Sequence, residues 1–154
     1  MTPRPNRRST AVRIGAIAVA TLVADAGAKV MAVGLGSVHS GLGFVLPIQN
    51  PDLSLGLAPG SVPSMLAASA LGILIFGSYT AWSATRGAIS SWIPGLLVGG
   101  GLGNLVDRLL FGAVHDWFDL GKVVVNLADL AILAGLAGFL VSLAVGRART
   151  GETP

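Results

Sequence analysis

The sequence contains no cysteine, which excludes a disulfide-stapled scaffold and any thiol nucleophile. It is also poor in charge. Only 11% of its 154 residues are Asp, Glu, Lys or Arg, against roughly 25% in an ordinary soluble domain. A soluble fold of this size covers much of its surface with polar groups, and ten basic and seven acidic side chains are too few to do so. With 53% hydrophobic residues the chain is neither a disordered tail nor a coiled coil. What is present is apolar: the mean hydropathy is +0.76. A membrane-crossing helix needs about 20 mostly apolar residues, so the chain has room for four crossings and their loops. These proportions describe an integral membrane protein.

Four apolar runs stand out, at about 11–35, 62–82, 89–111 and 123–145. They are too long and continuous for barrel strands, and lipid admits only helices or closed barrels. The fold class read from them is all-α: a single membrane domain over 1–154 with four transmembrane helices. The connections at about 36–61 and 112–122 form the outer loops. Arg4, Arg7, Arg8, Arg13, Arg86, Arg147 and Arg149 lie on one side, against Arg108 and Lys122 on the other. That bias predicts both termini in the cytoplasm. A basic start, an apolar stretch and Ala26-Gly27-Ala28 also fit a cleaved export signal. The length of the stretch, and Asp25 and Lys29 around the small residues, favour a retained helix.

The first outer loop holds Gly41, Gly43, Pro47, Pro51, Pro59 and Gly60. Turn formers and apolar residues alternate there between Leu42 and Leu57, which predicts a small β-like platform on the extracytoplasmic surface. Gly95, Gly99 and Gly103 recur every four residues, a spacing that lines one helix face with glycine and permits close packing. Trp82, Trp92 and Trp117 fall near span ends, where an aromatic belt accounts for them. His39 and His115 have no metal-ligand spacing around them. Gly99-Gly100-Gly101 lies in mid-span with no Lys-Ser/Thr after it, unlike a phosphate loop.

Ionisable groups cost roughly 2.5–3.5 kcal/mol each at a helix centre, so those inside the spans call for a reason. Asp25 and Lys29 are four apart with the acid first, the better order for a pair on one face. A structural salt bridge accounts for them, with or without a contact to substrate or lipid. Asn104, Asp107 and Arg108 end the third run and can project from one helix face, where a polar clamp between helices is the plain reading. Asn126 and Asp129 open the fourth run, while Asp116 and Asp119 lie in the third loop. None of these acids has an adjacent Lys or Arg in sequence. Two carboxyls held close cannot both ionise easily, so one keeps its proton, giving the base and acid of an aspartic protease. Helix-capping aspartates or an ion pathway account for the same residues. A four-helix proton-coupled transporter and a noncatalytic scaffold packing through its glycines therefore remain alternatives.

Taken in order, these residues are similar to the motifs of the lipoprotein signal peptidases (signal peptidase II). That family comprises four-helix aspartyl proteases of the bacterial cytoplasmic (inner) membrane. Asp25 and Lys29 resemble its first-helix Asp-x-x-x-Lys, and Asn50 its outer-loop Asn. Gly103-Asn104-Leu105-Val106-Asp107-Arg108 resembles Gly-Asn-x-x-Asp-Arg. Val114-His115-Asp116-Trp117 resembles Val-Val-Asp-Phe, with Asp116 nine residues after Asp107. Val125-Asn126-Leu127-Ala128-Asp129 resembles Phe-Asn-x-Ala-Asp.

The resemblance implies Asp116 and Asp129 as the catalytic pair, with Asn104, Arg108 and Asn126 supporting the site. It also implies Asn50 in substrate contact, and Asp25, Lys29 and Asp107 stabilising the site. It further implies no metal or organic cofactor and no nucleic-acid partner. The substrate would be a prolipoprotein cut on the N-terminal side of its diacylglyceryl-Cys, within membrane lipid at the outer face, with globomycin as inhibitor. The chain departs from the family where Asn50 leads into Pro51-Asp52-Leu53-Ser54-Leu55-Gly56, and where Leu130 replaces a Ser after the last Asp. The stretch between Asp116 and Asp129 is also short, which predicts a reduced flap; Asp119 is the reserve acid should Asp116 be misaligned with the motif.

Overall fold

The computed structural model describes residues 6–37, 44–51 and 61–150, with side chains described as far as Gly146. Asn6 opens helix α1 (Arg7–Leu35): its side-chain oxygen accepts the Arg8 N–H at 3.0 Å, pairing a donor that a helix N-terminus otherwise leaves open. The cap carries the helix back into the basic segment, so it starts before the apolar run does. It stops at Gly36, whose φ of +66° suits glycine. Helices α2 (Val62–Gly72) and α3 (Ser78–Thr85) form one rod through a π-helical turn, Ile73–Gly77. Helices α4 (Trp92–Phe111) and α5 (Leu127–Thr150) begin a few residues later than the apolar runs at 89 and 123 suggest. A turn occupies the residues before Trp92, and Val124 and Val125 pair in a sheet before α5 can start.

Among the described residues, three segments are long and apolar enough to cross a membrane: Arg7–Leu35, Val62–Thr85 and Leu127–Gly146. Helix α4 is not among them. Its glycines, with Asn104, Asp107 and Arg108, dilute its hydropathy, and it lies between α1 and α5 in the middle of the molecule. The exterior is the reverse of a water-soluble one. Val19, Val23, Val30, Leu74 and Leu140 are each more than 60% exposed, whereas Asp25, Lys29, Asn104, Asp107 and Arg108 are buried. That distribution suits a multi-pass membrane protein with a lipid-facing surface.

The glycines of α4 set how closely its neighbours approach. A Cβ at Gly95 would lie 2.7 Å from Ile17 Cβ, one at Gly99 2.6 Å from the Ala18 carbonyl, and one at Gly103 2.7 Å from Asp25 Oδ2. All three face α1, as their four-residue spacing predicts. Gly100 opens the opposite seam, where a Cβ would stand 2.5 Å from the Ala128 carbonyl of α5.

At one end of the helices lies an antiparallel sheet in the order β1–β2–β3. The sheet corrects the expected location of the platform: among the described residues, the first outer loop supplies β1 (Val45–Asn50) alone. Strand β2 (Val114–Asp119) comes from the second outer loop, and β3 (Val124–Val125) from the start of the fourth apolar run. The residues of β2 include a valine and two aromatics, which favour a pleated, half-buried surface. The register sets Ile48 opposite Asp116 and Asn50 opposite Val114, with an irregularity between Val45 and Ile48 where Pro47 offers no N–H. Asp119 closes the hairpin, its Oδ1 accepting the Gly121 N–H at 2.7 Å. His39, Gly41, Gly43 and the run from Asp52 to Gly60 lie outside the described residues.

Candidate active site

Helix α5 starts with a reciprocal cap. Asn126 Oδ1 accepts the Asp129 N–H at 2.8 Å, and Asp129 Oδ2 faces the Asn126 N–H at 3.4 Å. The three-residue spacing is thus a capping spacing, and it fixes both side chains at the helix mouth. The Asn126 amide then donates to Asp116 Oδ1 at 2.6 Å and to Asn104 Oδ1 at 3.1 Å. Asn104 in turn donates to Asp129 Oδ1 at 2.7 Å. Asn50, at the end of β1, donates to Asp116 Oδ2 at 2.8 Å. Three asparagine amides from β1, α4 and the α5 cap therefore hold two carboxyls from β2 and α5. Asn126 is fully buried and Asp116 is 2% exposed.

Burial is the largest influence on the Asp116 carboxyl and pushes its pKa above the usual carboxylate value. The hydrogen bond from Asn50 opposes the shift, and the nearby charge of Asp129 adds to it. The bond from Asn126 and the charge of Lys29 oppose it more weakly. The two acids are thus within electrostatic reach of each other.

Two further groups flank this cluster. On the α1 side, Lys29 Nζ lies 2.7 Å from Asp25 Oδ2 and 3.0 Å from Asp107 Oδ2. The Asp25–Lys29 pair read from sequence therefore has a third member. On the α2 side, Arg108 donates to Ser69 Oγ at 3.3 Å and to the Asn104 carbonyl at 3.4 Å, within electrostatic reach of Asp129, Asp116 and Asp107. Asn104 and Arg108 share a face and border a cavity of about 320 Å³ with Ser69, Gly72, Ile73 and Phe76. Asp107 turns the other way, toward α1, so the three polar residues ending α4 do not act as one face.

All nine residues singled out from sequence thus meet in one connected polar region. Asp119 takes part in the hairpin turn instead. Sequence reading missed Ser69, Gln49 and His115. The His115 ring stands 3.4 Å from Asp107 Oδ2 through Nδ1 and 3.5 Å from the Gln49 amide through Nε2. Nothing local marks these contacts, since each joins separate elements. Among the described residues, no three His, Asp or Glu side chains gather as metal ligands would.

Residues 17–145 match the family described as signal peptidase (SPase) II. The lipoprotein signal peptidase of Rhodopseudomonas palustris is 34% identical over 158 residues, covering 89% of this chain and 95% of that protein. The lipoprotein signal peptidase of Syntrophomonas wolfei is 36% identical over 99 residues, covering 64% and 65%. Two solved structures share the fold, each a bacterial membrane enzyme determined by the in meso method. The one at 2.3 Å resolution superposes with a TM-score of 0.73 at 18% identity, covering 90% of each chain. The one at 1.9 Å gives 0.72 at 19% identity, covering 93% of this chain and 97% of that one. With its matched region running from α1 to α5, the chain belongs to the signal peptidase II family, the lipoprotein signal peptidases.

Proposed function

We propose that this protein is a membrane aspartic endopeptidase that removes the signal peptide from prolipoproteins, cutting N-terminal to the diacylglyceryl-modified Cys. The observation that carries the reading is that Asn126 bonds to both Asp116 and Asp129, each also held by a further asparagine amide, with Asn104 bordering an apolar cavity between helices. One carboxylate takes a proton from water, whose oxygen attacks the scissile carbonyl. The other carboxyl holds a proton and gives it to the departing amide nitrogen as the C–N bond breaks.

The basic-residue bias supports four crossings with both termini cytoplasmic, α4 being the third, and hence an outward-facing sheet and site in the bacterial cytoplasmic membrane. The cavity bordered by Asn104 and Arg108 suits lateral entry of a signal helix or acyl chain from lipid. Family membership supports inhibition by globomycin. The pairing of Lys29 with both Asp25 and Asp107 argues against a lone mid-membrane acid of the kind a proton-coupled transporter carries.

The test is cleavage of a diacylglyceryl-Cys lipopeptide by the purified protein, with a globomycin control. Asp116→Asn and Asp129→Asn are each expected to lower the rate by at least about 100-fold, the low end of what a positioned acid or base contributes. Full processing by either folded variant would overturn the pair.

A further inference from the structure

Lys29, Asp25 and Asp107 touch neither of the two acids assigned to cleavage directly, yet their contacts lead to both. The Lys29 side chain is only 7% exposed and sits between two buried carboxylates, at 2.7 and 3.0 Å. Each carboxylate also holds a backbone amide. Asp25 Oδ1 accepts the Ala128 N–H at 2.9 Å, and Asp107 Oδ2 accepts the His115 N–H at 2.9 Å. Ala128 immediately precedes Asp129, and His115 immediately precedes Asp116. One ammonium therefore joins α5 to β2 by way of α1 and α4.

We propose that Lys29 is a positioning residue: through Asp25 and Asp107 it fixes the spacing of the amides preceding Asp129 and Asp116, and so the separation at which the two carboxyls meet. This rests on the reading of those acids as the catalytic pair. Removing the ammonium leaves Asp25 and Asp107 as uncompensated buried acids, which must separate or take up protons. Either response loosens the grip on the two amides. Gly103 shows how closely the clamp is built in, since a Cβ there would collide with Asp25 Oδ2.

The test uses the full chain in lipid, as Lys29→Met and Lys29→Arg. For folded Lys29→Met, kcat for the lipopeptide is expected to fall by about 100-fold, the scale of an ångström-level misplacement of reacting groups, with KM nearly unchanged. Lys29→Arg should recover part of the loss. A role in folding alone would lower the yield of folded protein and leave kcat of the folded fraction intact, which would overturn the proposal. Should Lys29→Met not fold, Asp107→Asn decides. Its side-chain oxygen can still accept the His115 N–H but no longer pairs with the ammonium, and a wild-type kcat there would overturn the clamp.

A second readout needs no activity. The chain has no cysteine, so spin labels on Leu120→Cys and Leu140→Cys, both exposed, report the hairpin against α5. Their distance distribution should shift or broaden in Lys29→Met, and an unchanged distribution would overturn the clamp. A folded wild-type chain that does not cleave would overturn the reading of the acids instead, leaving this distance to judge the clamp.

Discussion

Asn126 donates to Asp116 across 2.6 Å while its own oxygen caps the Asp129 N–H at 2.8 Å, so a single buried amide ties the two acids together. Its second donor goes to Asn104, which holds Asp129 in turn. Replacing it with Ala removes the helix cap and leaves a buried carboxylate oxygen, the Asn104 carbonyl and the Asp129 N–H short of a partner. Asn126→Ala should therefore cost about 1–3 kcal/mol of stability. It should also lower cleavage, because neither acid keeps its orientation. Thermal unfolding and the lipopeptide assay on the same preparation check both. A variant as stable and active as wild type would mean that the amide only fills space.

The glycine seam makes a contrast that packing alone decides. At Gly103 a Cβ would meet Asp25 Oδ2 at 2.7 Å and Ala128 Cβ at 3.3 Å, so α1 and α5 would have to move apart. Gly103→Ala should cost about 1–3 kcal/mol, the usual range for overpacking. Gly27, on the open face of α1, has nothing within 4 Å, and Gly27→Ala should leave Tm unchanged or slightly raised. Equal behaviour of the two variants in a thermal melt would contradict this account of the seam.

Why some of this architecture was legible in the sequence follows from the cost of polarity in lipid. Asp25, Lys29, Asn104, Asp107, Arg108, Asn126 and Asp129 stand out against apolar runs because hydrocarbon tolerates them only with partners. The α1 seam was legible because Gly95, Gly99 and Gly103 repeat at the helical period. The sheet was legible only in part: the stretch from Leu42 to Leu57 announced β1, whereas β2 lies in a stretch read as a loop and β3 has two residues. Contacts between elements were equally hidden. The spacing of Asp25 and Lys29 reveals their pair, but nothing in it reveals Asp107 as the second acid. Ser69 gives no sign in sequence that it meets Arg108.

If substrate reaches the acids from the lipid side, the cavity bordered by Asn104 and Arg108 is its route. Gly72 lines that cavity, and a Cβ there would meet nothing within 4 Å. Gly72→Leu should thus fold normally while narrowing the space. The expected result is a KM for the lipopeptide raised about tenfold, equivalent to ~1.4 kcal/mol of lost binding, with kcat little changed. Unchanged kinetics in a folded variant would move the entry path elsewhere, for instance to the smaller space between α1 and β1 beside Gln49 and His115.

The Asp116 carboxyl gives the protein a dependence on pH whose sign can be stated in advance. Burial, its leading influence, raises the pKa above the ordinary 3.8, against the opposing bonds from Asn50 and Asn126. The folded chain therefore holds this proton more tightly than the unfolded chain does. The stabilisation is fully present below the ordinary value and is lost as pH rises through the folded one. Asp116→Asn cannot titrate, and any mismatch of its amide with the Asn50 and Asn126 donors is a constant offset. Hence the Tm of wild type relative to Asp116→Asn should fall as pH is raised from about 4 to about 8, a range that begins near the ordinary carboxylate value. A gap that stays constant, or moves the other way, would mean that the hydrogen bonds outweigh burial. Asp116 would then be held ionised, and the shared proton would have to sit on Asp129.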